Sequence, residues 1–283
     1  DDPDVTHGAE IISHVEVGKA GQNLKFYAGN GVGTVTLPGL PLDVGEPAIN
    51  PGPRKIITEN LKSIATEFCV EPDLNVRIEI PGGKELALKT MNARLGIKGG
   101  LSILGTTGVV IPYSCASWIH SIHRGIDVAL ATGITHLAAA TGSTSEGYLK
   151  SYFNLPEQAY IDMGDFAGGL LKHLAKNPVQ RLTLAGGFGK LSKLGNGQMD
   201  LHSSRSSVDM IKLEECAIVA GASKRTSARI AEANTAMEVL AISDEFNLGL
   251  GDVIAAQARG VIMAILAGWT QVDVMVIDRN GTL

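Results

Sequence analysis

The sequence predicts two folds in succession: a β-rich α+β domain in the N-terminal part, then a doubly wound α/β domain with a mostly parallel sheet. Three observations carry that expectation. The first hundred or so residues hold short apolar runs broken by Gly and Pro, and the second half alternates short apolar strands with helical segments. Between them lies the irregular stretch Gly105 to Ser114. A chain of 283 residues is long enough for two cores, so the division falls between residues 1–110 and 111–283.

In the first part, Glu10–Val17 and Leu24–Tyr27 read as short strands, and Val32–Leu37 follows the turn signal Gly29-Asn30-Gly31. Pro38 to Pro53 holds five prolines, too long an irregular run to be a mere connection. Pro53 suits the first turn of a helix in which Ile56, Ile57, Leu61, Ile64 and Phe68 recur at helical spacing. Leu74, Val76, Ile78 and Ile80 alternate as in a half-buried strand, and Pro81-Gly82-Gly83 then turns the chain into Leu86–Leu88.

In the second part, Ser114 can cap a helix whose apolar face is Trp118, Ile119, Ile122, Ile126, Ala129 and Leu130. Three short apolar strands follow, His136–Thr141, Ala159–Met163 and Arg181–Ala185, with a helix over Phe166–Ala175. Ala-rich helices are expected over Thr226–Ile242 and Asp252–Leu266, and a last strand over Val272–Ile277. Strands alternating with helices predict a parallel sheet covered on both faces.

Composition narrows the function. An apolar fraction of 45% with 19% charged residues excludes disorder. With 24 basic and 29 acidic residues, a net charge of −5 and a pI near 5.8, no general field attracts nucleic acid or an anionic membrane. Cys69, Cys115 and Cys216 are widely spaced and form neither a disulfide framework nor a zinc pattern, which suits a reducing compartment. Residues 1–20 lack an apolar signal region, and the apolar run Gly260–Gly268 is shorter than the ~20 residues of a membrane span. A soluble cytoplasmic protein is expected, its oligomeric state left open. The chain starts at Asp1-Asp2-Pro3 without Met and stops at Gly281-Thr282-Leu283, so both ends read as cut.

Several chemical signatures are missing. There is no G-x-G-x-x-G, no G-x-S-x-G and no H-E-x-x-H. Gly189-Lys190 invites a P-loop reading, but Leu184 and Leu191 stand where a glycine and a Ser or Thr are needed. What remains is Ala140-Thr141-Gly142-Ser143-Thr144-Ser145-Glu146-Gly147, after a strand and before a helical stretch. Such a turn exposes N–H groups at a helix start, a seat for a carboxylate or phosphate; it reads equally as an ordinary βα turn. Asp162 and Asp165 follow the next strand and can take ribose hydroxyls or an amine, while Asp165 can equally cap the next helix. Gly186 to Lys193 reads as a second ligand loop, followed by the polar run His202-Ser203-Ser204-Arg205. Histidine as a residue type suits proton transfer, though a lone loop histidine is more often solvated or structural. His7, His120 and His123 read as turn, surface or core-edge residues. Lys190 with Lys193, and Lys224, Arg225 with Arg229, read as solvated faces. Arg54 and Arg94 sit in Gly- or Pro-rich loops, where a guanidinium can grip carboxylates in bidentate fashion.

Longer blocks carry a resemblance. Asp1-Asp2-Pro3-Asp4-Val5-Thr6-His7-Gly8-Ala9-Glu10-Ile11 resembles the opening block of the CbiD family, the cobalt-precorrin-5B C1-methyltransferases of cobalamin synthesis. So do Gly31-Val32-Gly33-Thr34-Val35-Thr36, Pro38-Gly39-Leu40-Pro41, Gly45-Glu46-Pro47-Ala48-Ile49-Asn50-Pro51 and Arg54. Ala93-Arg94-Leu95-Gly96-Ile97, the run Gly99 to Gly108 and Asn234-Thr235-Ala236 resemble it further on. Departures exist. The family's Thr/Gly/Cys/Ala-rich beginning is missing, so a first strand and helix are expected to be absent. Gly187-Phe188 stands where the family tends to read His-Ile, and Asp200-Leu201-His202-Ser203 keeps only the His and Ser of an Asn-Thr-His-Ser block.

The resemblance implies transfer of a methyl group from S-adenosyl-L-methionine to ring carbon C-1 of a corrin precursor, a reaction in which positioning does most of the catalysis. From the loops, the expected cofactor residues are Gly142, Ser143, Thr144, Glu146, Gly147, Asp162 and Asp165, in the second domain. The expected substrate residues, in an interdomain cleft, are Glu46, Asn50, Arg54, Arg94, Thr106, Thr107 and Lys190. His202 is the candidate proton acceptor. No resident metal is expected. The rival readings are a non-catalytic tetrapyrrole carrier or scaffold and, from the Gly29–Gly33 loop, a small-molecule kinase.

Overall fold

A computed structural model describes residues 5–105, 115–278 and 281–282, and the chain divides into two compact units, Asp1–Ser117 and Trp118–Leu283. Beyond Gly105, the stretch that the sequence marks as the division, with Thr106, Thr107 and the expected Ser114 cap, lies outside the described residues.

The first unit runs β1 (Ile12–Val17), β2 (Lys25–Ala28), β3 (Thr34–Val35), helix α1 (Pro51–Glu67), β4 (Leu74–Glu79), helix α2 (Gly83–Ala87) and β5 (Ile97–Lys98). The sheet order is β1-β4-β2, with β1 antiparallel and β2 parallel to β4. Val76, Ile78 and Ile80 turn inward as their alternation predicts and pack with Val32, Ile49 and Leu101. The helix presents Pro53, Ile57, Leu61 and Ala65 at four-residue spacing, whereas Ile56, Ile64 and Phe68 of the expected stripe are exposed. The expected strand Val32–Leu37 shortens to β3, which pairs antiparallel with β5. The segment beyond the Pro81–Gly83 turn is the short helix α2.

One close approach organises this unit. Gly31 has φ +77°, and a Cβ there would overlap the Ile80 carbonyl; a Cβ on Gly83 or Gly100 would overlap the Gly31 carbonyl. Three strands of backbone therefore meet without side chains between them, tied by Leu101 N to Gly31 O (2.9 Å) and Ile80 N to Asn30 O (2.7 Å).

The second unit, with the whole of α3, runs α3 (Cys115–Ala131), β6 (His136–Ala140), α4 (Ser143–Tyr152), β7 (Tyr160–Asp162), α5 (Ala167–Leu174), β8 (Arg181–Gly187), α6 (Phe188–Gly195), α7 (Met210–Val219), α8 (Lys224–Ala231), α9 (Ala236–Glu245), α10 (Leu250–Leu266) and β9 (Gln271–Ile277). All four strands are parallel, in the order β7-β6-β8-β9. Leu137, Ala139, Leu182 and Leu184 pack with α3, α5, α6 and α10 on one face, and Ala138, Ala140 and Ala185 pack with Leu149 of α4 on the other. That is the doubly wound arrangement.

Two expectations need correction here, and one helix stands where the sequence reading places no element. The Gly186–Lys193 segment is not a loop: β8 runs on to Gly187, and α6 begins at Phe188 because Phe188, Leu191 and Leu194 find one buried face. The helix expected over Thr226–Ile242 is two helices. Thr235 Oγ1 accepts Glu238 N (3.1 Å), an N-cap bond that starts α9 afresh, while Glu238 Oε2 reaches back past the cap to accept Asn234 N (2.8 Å). Helix α7, capped by Asp209, was not anticipated. Among the described residues no helix is long and apolar enough to cross a membrane.

At the start of β6, His136 Nε2 sits 2.9 Å from Thr183 Oγ1, and burial followed by nearby Arg181 lowers its pKa below the usual histidine value. A lowered histidine contributes stability above its ordinary pKa and loses it as pH falls through the folded value. Acid titration of the second unit should therefore show a loss of stability, below the ordinary histidine range, that a His136→Gln variant lacks. Superimposable titrations would refute this.

Candidate functional site

The strand order creates a crevice by topology alone. From β6 the chain leaves through α4 toward β7 on one side, and β8 lies on the other, with its exit helix α6 on the opposite face of the sheet. The carboxyl ends of β6 and β8 thus flank a switch point, where open α/β sheets bind their ligands. Glycines line it. A Cβ on Gly142 or Gly187 would meet nothing within 4 Å, whereas one on Gly186 would come within 2.7 Å of Thr141 Cγ2. Gly186 is therefore needed for packing, whereas side chains at Gly142 and Gly187 would enter open space.

Both helices at this point start on glycine. Gly142 is the N-cap of α4 and Gly187 that of α6, and neither helix has a side-chain cap of the kind that Asp209, Ser223 and Thr235 give α7, α8 and α9. First-turn N–H groups and the positive end of the helix dipole favour an anion there. Ser143 and Thr144 belong to that first turn of α4, and Gly147 to its second; a Cβ on Gly147 would also meet only open space. Ser145 Oγ donates back to Gly142 O (2.9 Å). Glu146 turns to Lys150 of its own helix (3.1 Å), which also holds Glu157 (2.8 Å). The cofactor expectation thus finds Gly142, Ser143, Thr144 and Gly147 at the crevice, with Glu146 in an ion-pair network.

Asp162 ends β7 in register with Ala140 of β6, one strand from Gly142. It lies about 20 positions after that glycine, the offset at which dinucleotide folds place a ribose-binding acid. Its Oδ1 accepts Gly164 N (3.1 Å), which fixes the carboxylate at the strand end. Asp165 does not cap α5, whose N-cap is Phe166. Its Oδ1 lies 2.9 Å from Lys190 Nζ, and that ammonium also donates to Thr141 O (2.7 Å). Lys190 therefore ties the end of β6 to the loop after β7.

His202 follows Leu201, whose N–H donates to Asp165 O (2.8 Å). Its Nδ1 receives Ser204 N (3.2 Å) and faces Ser204 Oγ (2.7 Å). A lone pair used in this way places the neutral ring's proton on Nε2. The neutral imidazole so held keeps an N–H donor on Nε2. His123 belongs to the contact of α3 with α5, its Nε2 3.1 Å from Gly169 O and its ring stacked on His173 at 4.3 Å, whereas His120 is exposed and lies 3.4 Å from Arg124 of its own helix.

In the first unit, Glu46, Asn50 and Arg54 gather at the start of α1. Arg54 donates to Ile49 O (2.7 Å) and Pro47 O (3.1 Å), pairs with Glu46 (2.8 Å) and covers the Phe26 ring. The guanidinium thus already shapes its own loop. Asn50 N bonds Ile103 O (3.0 Å), placing this loop beside the strand-like run that leads to Gly105. Arg94 is half-buried in the turn before β5.

Two features went unread in the sequence. Gly281 brings the turn after β9 against Thr144 of α4, a position signalled by Asn280-Gly281. Lys193, which reads as part of a solvated face, is buried; the helical spacing of Phe188, Leu191 and Leu194 around it was the available signal.

Comparison with known proteins then decides the family. The family model described as CbiD matches residues 1–112, and the one described as CbiD, C-terminal domain, matches residues 200–283. The chain belongs to the CbiD family. A cobalt-precorrin-5B C(1)-methyltransferase of Paramagnetospirillum magneticum is 55% identical over 282 residues, which are 99% of this chain and 78% of that protein. One from Brucella canis is 53% identical over 284 residues, covering 100% of this chain and 77% of that protein. The crystal structure of a cobalamin biosynthesis protein from Archaeoglobus fulgidus is 29% identical, with a TM-score of 0.32 over 71% of this chain and 61% of that one; the chain spans less than two thirds of it.

Proposed function

We propose that this CbiD family member methylates ring carbon C-1 of cobalt-precorrin-5B in cobalamin biosynthesis, with S-adenosyl-L-methionine as donor. The observation that carries the reading is identity of 53–55% to proteins of that name along essentially the whole chain. The crevice supports it. Gly142 and Gly187 put no side chain at the crevice, the uncapped start of α4 suits the donor's carboxylate, and Asp162 suits its ribose hydroxyls.

S-adenosyl-L-methionine supplies a sulfonium methyl that is already electrophilic, and an electron-rich ring carbon needs no activated nucleophile. The chain's work is to hold both in line and keep water out. Asp162, Ser143 and Thr144 fix the donor; Lys190, pinned between Thr141 O and Asp165, keeps the strand ends in place. His202 donates from Nε2 to a substrate carboxylate. The widely spaced cysteines suit work in a reducing cytoplasm.

The test is incubation with isotopically labelled S-adenosyl-L-methionine and cobalt-precorrin-5B, reading the product mass. A gain of one labelled methyl on the ring supports the assignment, and an unaltered ring overturns it. Corrin binding without any donor affinity would mark a carrier. For the cofactor site, Asp162→Asn keeps an acceptor for Gly164 N but loses the charge, so calorimetry should show roughly tenfold weaker donor binding, about 1.4 kcal/mol, at unchanged fold stability.

A further inference from the structure

Lys193 is a buried ionisable group to which the proposed reaction gives no task. It stands in the last turn of α6 at 6% exposure, and its ammonium donates to Leu201 O at 3.0 Å. Among the described residues no carboxylate lies within ion-pair distance of it. The negative end of the helix dipole offsets part of the charge. A buried ammonium served by a neutral carbonyl is still a costly occupant of a core. Leu191 and Leu194 beside it show what that core otherwise accepts. Packing alone gives no reason for a lysine here.

The reason lies in what the ammonium holds. After α6 the chain turns at Gly197 (φ +83°) and runs back as a strap. Met199 O accepts Gly168 N (2.8 Å), and Leu201 N donates to Asp165 O (2.8 Å). Leu201 is thus fixed on both sides, by Asp165 through its N–H and by Lys193 through its carbonyl. Asp165 in turn faces Lys190 at 2.9 Å, three residues before Lys193 on the same helix, and Lys190 reaches Thr141 O at the end of β6. Two hydrogen bonds and one ion pair close a ring: Lys193 to Leu201, Leu201 to Asp165, Asp165 to Lys190, and back along α6. The turn that orients His202 begins at the next residue, where Arg205 N and Ser206 N both bond His202 O.

We propose that Lys193 is a positioning residue for methyl transfer, clamping Leu201 so that the Asp165–Lys190 pair and the His202 turn stand in fixed register beside the switch-point crevice. The assignment rests on the methyl-transfer reading. A merely structural lysine would lower stability when removed and leave the chemistry of the folded enzyme alone; a clamp separates the two effects.

The experiment uses the full chain as wild type, Lys193→Met and Lys193→Arg. Met has similar length and removes the charge, so K193M should unfold at a midpoint no lower than wild type. Without ligand, the Leu201 amide should exchange roughly tenfold faster in K193M, because its partner strap loosens. With donor and substrate, kcat should fall roughly tenfold while the KM for S-adenosyl-L-methionine stays within about threefold. K193R, which restores a donor, should recover most of kcat and of the Leu201 protection. Wild-type kcat or wild-type Leu201 exchange in a folded K193M overturns the clamp. If K193M does not fold, K193R decides: protection and kcat retained or lost together support the clamp, and one changing without the other overturns it. A wild-type enzyme that transfers no methyl group defeats the methyl-transfer reading instead, and the exchange and stability measurements then judge the clamp alone.

Discussion

Replacing Gly142 with tryptophan is expected to leave stability within about 0.5 kcal/mol of wild type and to weaken S-adenosyl-L-methionine binding more than about a hundredfold. Two observations separate the effects. Gly142 has φ 161° and ψ 177°, extended backbone that any residue adopts, and a Cβ there meets nothing within 4 Å. The fold therefore tolerates the side chain, and the indole occupies the space between the ends of β6 and β8. Thermal unfolding checks the first half and calorimetry the second. Unchanged affinity in a stable G142W protein would remove the donor from this crevice. Gly186→Ala is the contrasting control: its Cβ would press on Thr141, so it should cost stability before it costs binding.

Gly31→Ala should produce the largest loss of stability from a single methyl group, about 4 kcal/mol in the first unit. The positive φ of +77° already disfavours a side chain, and the added Cβ would overlap the Ile80 carbonyl, which is backbone and cannot swing aside. Gly83 and Gly100 crowd the Gly31 carbonyl from other directions, so relief by shifting Gly31 is closed. Amide exchange in β4, at Val76 and Ile78, reports this unit. Trp118 and Trp269 both belong to the second unit, so their fluorescence transition should stay in place. Native protection of β4 in G31A would show that the three backbones do not meet as described.

Much of the architecture was legible because it rests on short-range rules. The alternation of Leu74, Val76, Ile78 and Ile80 marked β4, and the short, mostly apolar runs at 136–140, 181–185 and 272–277 marked strands covered on both faces. The helical spacing of Ile122, Ile126 and Ala129 marked α3. The turn from Thr141 to Gly147 was recognisable as a helix start after a strand. Less local features escaped. Gly186-Gly187-Phe188-Gly189 reads as a loop on composition, and only the pocket that receives Phe188, Leu191 and Leu194 makes it a strand end and a helix. Arg54 reads as an anchor for a ligand's acids, yet the carbonyls of Ile49 and Pro47 and the Glu46 carboxylate claim it first.

By itself, then, the sequence determined the family, the strands β4, β6, β8 and β9, the helices α1, α3, α5 and α10, and the glycine-rich turn at the start of α4. Each is written in neighbouring residues: periodicity, turn chemistry or a long shared block. The tertiary structure alone decided the order β7-β6-β8-β9, which sets Thr141, Asp162 and Gly187 around one crevice, and it alone decided that Lys190 meets Asp165 and that Lys193 is buried. Strand order and the desolvation of a charge depend on residues far apart along the chain, and no local pattern encodes which of them will touch.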